Sequence, residues 1–124
     1  MQPVGVTGRQ LDMRFLMIVC AGSSFEPPES PERLDAETRG WLAEAEQRGI
    51  RVLGGRIAPP GEATVLTNDD GKLLRRPGPR LNVDEQVIGF DVLDAATADE
   101  IFELVSRHPM TPHGSIELRQ LLDE

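Results

Sequence analysis

The sequence contains no tyrosine, one tryptophan and four phenylalanines. Its core must therefore be built from Leu, Ile, Val and Met, and few flat rings remain on which a base or sugar could stack. Cysteine is almost absent: Cys20 stands alone, which excludes an intramolecular disulfide and a thiolate metal cage and fits a cytoplasmic setting. The two histidines, His108 and His113, have no further His or Cys cluster beside them, so no metal is expected. Long apolar runs are missing too. Residues 15 to 21 form the longest, far short of the ~20 needed to cross a bilayer, and Asp12 together with the bulky Ile18 and Val19 before Cys20 spoils the run as a secretory leader. Basic residues are the minority, thirteen against twenty-one acidic, and a formal charge of −8 repels phosphate backbones and anionic lipid. Nucleic acid and membrane are therefore not expected as partners. No Ser-His-Asp order, phosphate-binding glycine loop or nucleotide fingerprint occurs, and no cofactor is expected.

What is present describes one folded domain. A chain of 124 residues leaves too little sequence for two cores, and 39% hydrophobic residues argue against wholesale disorder. Residues 1 to 12 mix Gly, Pro, Thr and Gln without an apolar period and are expected to form a flexible tail, with 13 to 124 as the domain. From Arg14 to Cys20 the chain is apolar on both alternating faces, as a central strand covered on both sides would be. A Pro- and Ser-rich loop follows, in which Ser30 before Pro31 resembles a helix N-cap with proline at the first helical position; Asp35 is an alternative cap. Leu34, Thr38, Trp41, Leu42 and Ala45 share one helical stripe, and Gly49 supplies the stop.

Residues 50 to 57 alternate loosely and carry Gly54 and Gly55, which mark a bulge or a close backbone approach. Segments 63 to 67 and 72 to 75, joined by Asn68-Asp69-Asp70-Gly71, read as a hairpin. The prolines in Arg75-Arg76-Pro77-Gly78-Pro79-Arg80 make a rigid polar loop, after which strand character resumes from Gln86 to Leu93. Thr97-Ala98-Asp99-Glu100 is a capping box that opens a helix with Ile101, Phe102, Leu104 and Val105 on its apolar side. Residues 115 to 121 form the last strand.

Four principal strands and two helices in the order βαββαβ predict an α+β, ferredoxin-like antiparallel sheet with both helices on one face and the hairpin as an insertion. The first and third principal strands are then the central pair. A strand apolar on both faces does not leave one of them in water, because each large exposed side chain forgoes roughly 1.5–3 kcal/mol. A second copy packed sheet against sheet, an isologous homodimer, is the expected cover. Within the third principal strand, alternation assigns Ile88, Phe90 and Val92 to the helices and Val87, Gly89 and Asp91 to the open face. On the final strand Ile116 and Leu118 go with the helices, and Glu117 and Arg119 with Asp91. A carboxylate pair and a guanidinium would then meet on the open face.

With the elements placed, the sequence resembles the YCII-related family, also called the DGPF domain family, over nearly the whole of 13 to 124. The pieces that carry this are Met13-Arg14-Phe15-Leu16-Met17-Ile18-Val19, the stretch from Gly49 to Pro59, and the close of the chain: Gly89-Phe90, the second helix, Arg107-His108-Pro109, Gly114 and Ile116-Glu117-Leu118-Arg119. The resemblance implies a dimeric α/β barrel. It also implies that relatives either have no known activity, degrade small organic molecules or accompany extracytoplasmic-function sigma factors. Where the family usually reads Asp-Gly-Pro-Phe-Ala-Glu-Thr-Lys-Glu, this chain has Pro77-Gly78-Pro79-Arg80-Leu81-Asn82-Val83-Asp84-Glu85, so only Gly78, Pro79 and Glu85 are kept, and Cys20 replaces a residue that is commonly Lys.

Candidate chemistry rests on a few side chains. Asp91 beside Glu117 would hold a raised pKa and act as acid or base, with Arg119 orienting a substrate; a buried ion pair at the dimer interface is the plainer account. His108 ends the second helix, where a cation caps the dipole or an imidazole moves a proton. Arg75, Arg76 and Arg80 form a basic patch able to grip a carboxylate or phosphate. Trp41 and Cys20 read as core. Loss of most of the signature polar residues favours a dimeric small-molecule-binding or regulatory protein, whose ligand would be a small organic acid held by Arg119, Glu117 and Arg80. The alternatives are a lyase or hydrolase with Asp91 or His108 as acid/base, and a protein partner, in the family's pattern of a sigma factor.

Overall fold

A computed structural model describes residues 13–22 and 31–122. The elements are β1 (Met13–Ala21), α1 (Pro31–Gln47), β2 (Arg51–Arg56), a 3-10 turn at Pro60–Glu62, β3 (Thr64–Asp69), β4 (Lys72–Pro77), β5 (Gln86–Ala95), α2 (Ala98–Ser106) and β6 (Ser115–Gln120). The strands β2, β5, β1 and β6 form one antiparallel sheet in that spatial order, and β3 and β4 form a separate two-stranded ribbon. This is the ferredoxin-like α+β order, with β1 and β5 central and the hairpin inserted. The expected tail, residues 1 to 12, and the expected cap, Ser30, lie outside the described residues.

One face of the sheet makes the core. Phe15, Met17 and Val19 alternate into it from β1 and meet Leu93 and Ala95 of β5. Both helices cover this face, α1 through Trp41 and Ala45 and α2 through Ile101, Leu104 and Val105. The Thr97 side chain accepts from the Glu100 backbone N–H at 3.3 Å, which starts α2 as the capping box predicts. Gly49 takes a φ of 72° after α1, and the Ile50 N–H returns to the Ala45 carbonyl at 2.9 Å, which closes that helix. The two helices are tied by the Trp41 indole N–H, which donates to the Leu104 carbonyl at 2.8 Å. A buried indole thereby keeps its hydrogen bond while its rings fill the core.

From Gly89 to Ala95 the phase of β5 is opposite to the one alternation suggested, whereas Val87, beyond the register shift and in register with Cys20, is on the open face as expected. Met17 is in register with Asp91, Phe15 with Leu93 and Val19 with Gly89, so Gly89, Asp91, Leu93 and Ala95 face the helices. Phe90 and Val92, in register with Ile18 and Leu16, stand on the open face. Because strand side chains alternate with period two, a phase error of one residue moves all of them across the sheet. The misleading feature is the size of Ile88, Phe90 and Val92 beside the small Gly89 and the charged Asp91. Two irregularities bound the stretch: the β1–β5 register shifts between Val19 and Cys20, and the β2–β5 register between Arg51 and Leu53.

The helix side tolerates Asp91 because β2 makes room for it. Gly54 is in register with Asp91, and a Cβ there would meet the Asp91 carboxylate and come within 2.5 Å of the Phe90 carbonyl. This is the close backbone approach predicted for the Gly54-Gly55 pair. Gly54→Ala is expected to destabilise the fold by about 1–3 kcal/mol through overpacking, read as a lower urea midpoint, whereas Gly55→Ala, with open space at its Cβ, should shift it far less.

Candidate functional site

The residues singled out from sequence fall into four separate places. Asp91 is buried on the helix side, 6% exposed. The Arg51 Nε donates to its Oδ1 at 2.6 Å, and Arg51 NH1 reaches Glu46 at 2.6 Å, so an α1 carboxylate, a β2 guanidinium and a β5 carboxylate form a chain across three elements. Burial pushes the Asp91 carboxyl up, and Arg51 opposes that shift. Asp91 therefore does not point toward Glu117 and Arg119, and the constellation expected on the open face is divided across the sheet. Its partner is Arg51, whose place beside it depends on the β2 irregularity and left no local signal in the sequence.

His108 lies in the turn after α2, 5% exposed, with its ring 4.6 Å from that of Trp41 in an edge-on contact. The Met110 backbone N–H donates to Nδ1 at 3.0 Å. That bond fixes the tautomer: Nδ1 is the acceptor and Nε2 carries the proton. Burial alone pushes the imidazole down to about 4. The cationic helix cap expected of His108 is thus not formed, because a buried ring that accepts a backbone N–H stays neutral. Arg107 supplies the positive charge at this helix end instead. It is bonded to Glu103 at 2.8 Å and to both Glu44 oxygens at 2.9 Å, and these bonds hold Glu44 down at about 2.

A cleft of about 530 Å³ opens between α1 and the loop that leads into β6, lined by Trp41, Glu44, Arg107, His108 and His113 among others. The Arg107 fork in it is already occupied by carboxylates. As a base His108 is poorly placed: its one lone pair is held by Met110, and protonating it breaks that bond.

The open face carries Glu117, Arg119 and Cys20. Leu16 and Ile18 of β1 and Phe90 and Val92 of β5 are half-buried and stand outside the helix-side core cluster. Glu117 is in register with Ile18 and Arg119 with Leu16, and Arg119 Nε donates to Glu117 at 2.5 Å, both side chains more than half exposed. Glu117 and Arg119 do come together as expected, over an apolar floor. Arg80 is exposed in the loop before β5, where its carbonyl accepts from Arg76. Cys20 is half-buried, and its thiol is pushed up, first by burial and then by Glu85 and Glu117, which makes it a poor nucleophile.

The YCII-related domain matches residues 13–124, all but the first twelve positions. The chain belongs to the YCII-related family. Among curated proteins it is 27% identical over 106 residues to an uncharacterised protein of Rhizobium meliloti (strain 1021), an alignment that covers 70% of this chain and 84% of that one. Among the described residues of this YCII-related domain no helix is long and apolar enough to cross a membrane, and no group of three or more His, Cys, Asp or Glu is placed to hold a metal.

The buried imidazole has a measurable consequence. Its pKa of about 4 in the folded chain lies below the ordinary value near 6.5. The unfolded chain therefore takes up the extra proton first, so the stability from His108 is full above pH 6.5, falls as pH drops toward 4 and levels off below. His108→Gln cannot titrate. The stability advantage of the wild type over it is expected to shrink by about 2–3 kcal/mol between pH 7 and pH 4, while the oppositely signed contribution of Asp91 cancels in the difference. Urea unfolding at each pH measures this, and a constant difference would mean that the imidazole titrates in the folded chain as it does in the unfolded one.

Proposed function

We propose that this YCII-related domain works as a cytoplasmic homodimer that binds a small organic acid on the sheet face shared by two copies, with binding rather than turnover as its task. The observation that supports it is the state of Arg119. Its Nε is engaged by Glu117, while its two terminal nitrogens make no bond among the described residues. It stands in register with Leu16, which is itself in register with Val92. A free guanidinium fork above an apolar floor suits a carboxylate attached to an apolar body: the fork takes both oxygens and the floor takes the carbon skeleton. A second sheet laid over the first would exclude water from the pair and strengthen it.

The positions of Asp91 and His108 support binding rather than turnover. Asp91 is paired with Arg51 behind the sheet, and His108 has its lone pair committed to Met110. Neither stands with Arg119, and an acid/base reaction needs its proton acceptor within hydrogen-bond reach of the reacting atom. The cover over Leu16, Ile18, Phe90 and Val92 is most economically a second copy, since isologous pairing buries the same apolar surface twice. A heterologous protein such as a sigma factor is the competing occupant.

Light scattering on the purified protein should return twice the 13.6 kDa chain mass; a monomer would remove the shared face. Titration calorimetry with benzoate and hexanoate should then show binding that Arg119→Gln weakens by about tenfold or more, the scale of a lost charge-assisted pair. Affinity for neither acid, or affinity indifferent to Arg119→Gln, would overturn the assignment.

A further inference from the structure

Among the described elements, the inserted hairpin is the one its own domain uses least. Every residue of β4 is exposed, and in β3 only Val65 is half-buried. A lone two-stranded ribbon is at best marginal in water, yet this one carries Leu66, Leu73 and Leu74 at 57%, 61% and 43% exposure. Its two faces differ. Cross-strand register puts Leu66 opposite Arg75 and Asn68 opposite Leu73 on one face, and Val65 opposite Arg76 and Thr67 opposite Leu74 on the other. The second face holds the half-buried Val65 and the less exposed leucine, and Arg76 folds back to the Pro79 carbonyl at 3.2 Å. The first face presents the two most exposed leucines of the hairpin and Arg75, whose guanidinium makes no bond among the described residues.

Charge divides in a complementary way. Residues 71 to 83 contain Lys72, Arg75, Arg76 and Arg80 and no acidic residue, in a chain whose formal charge is −8. At one end of the open sheet face the sign is opposite. Glu85 and Glu117 both act on the Cys20 thiol, Ser115 Oγ donates to Glu85 at 2.6 Å, and Val87, in register with Cys20, is left 38% exposed. One surface thus offers leucines beside an unengaged arginine, and the other an apolar side chain beside two exposed carboxylates, Glu117 being also bonded to Arg119 of its own strand. In an isologous pair each subunit supplies one of each, so every contact forms twice.

We propose that the β3–β4 hairpin is a clasp for a second copy of this chain, laying Leu66 and Leu73 on the apolar end of the partner's sheet face and setting Arg75 and Arg80 against Glu85 and Glu117 of the partner subunit. The inference rests on the homodimer proposed above and adds the element that fixes its orientation. Sheet-to-sheet apolar packing is weakly directional, whereas paired charges at the rim select one register and penalise others.

Charge reversal on each side tests it. Arg75→Glu with Arg80→Glu places carboxylates against carboxylates, and Glu85→Arg with Glu117→Arg places cations against cations; each double variant should dimerise at least about tenfold more weakly by sedimentation equilibrium. Mixed together the two should recover a heterodimer near wild-type affinity, and the differences should fade in molar salt. The substituted side chains are exposed, and unchanged urea midpoints would show that the fold survives. As a second readout, mild oxidation of Arg75→Cys should link it to Cys20 of the partner subunit, giving a covalent dimer that Cys20→Ser abolishes. A monomeric wild type ends the dimer and the clasp together. A dimeric wild type whose reversed variants associate normally and gain nothing on mixing ends the clasp alone and leaves the hairpin to a different protein.

Discussion

The structure depends first on the register of β5 against β1. Setting Met17 opposite Asp91 and Phe15 opposite Leu93 decides which side chains the helices cover and which are left on the open face. Were β5 to slip by one residue, Asp91 would leave Arg51 and the large Phe90 and Val92 would be pressed under the helices. The register is held by its surroundings: Gly54 leaves space for the Asp91 carboxylate, and Arg51 supplies its countercharge from the neighbouring strand. An unpaired carboxylate at that depth would be far more destabilising than any single lost packing contact.

From this register follows a division of labour among the charged groups. Asp91, Arg51 and Glu46 act as a strut behind the sheet, and Arg107, Glu103 and Glu44 join the ends of the two helices. His108 is held neutral between Trp41 and Met110. Each of these charged groups is paired within the fold itself, which is how structural charges behave. Glu117 and Arg119 differ, since their exposed pair sits over side chains that the core does not use. The open face and the hairpin that stands apart from the core are the described surfaces of this YCII-related domain that its own core leaves uncovered.

Much of the fold was legible in the residues. The capping box at Thr97, the stop at Gly49, the apolar stripe through Trp41 and the turn around Gly71 are local signals, and each appears where it was expected. The unbroken apolar run of β1 also announced a central strand. Glu117 and Arg119 were correctly placed because β6 alternates cleanly between apolar and charged residues. On β5 the same rule failed, because both of its faces carry apolar residues and the buried one includes an aspartate. His108 was misread for a related reason: a histidine at a helix end reads as a cation when its burial and the Met110 N–H cannot be seen.

Period, caps and turns within short windows were enough to set the order of elements, the central pair and the segregation of both helices to one face. Which face of β5 is inside, who partners Asp91 and which tautomer His108 takes were settled by the packing of distant segments. Those outcomes depend on groups far apart in the chain, Arg51 forty residues before Asp91 and Trp41 well before His108, and on a strand irregularity that shifts the register between them. Burial and partner identity are properties of the assembled molecule, and no local window contains them.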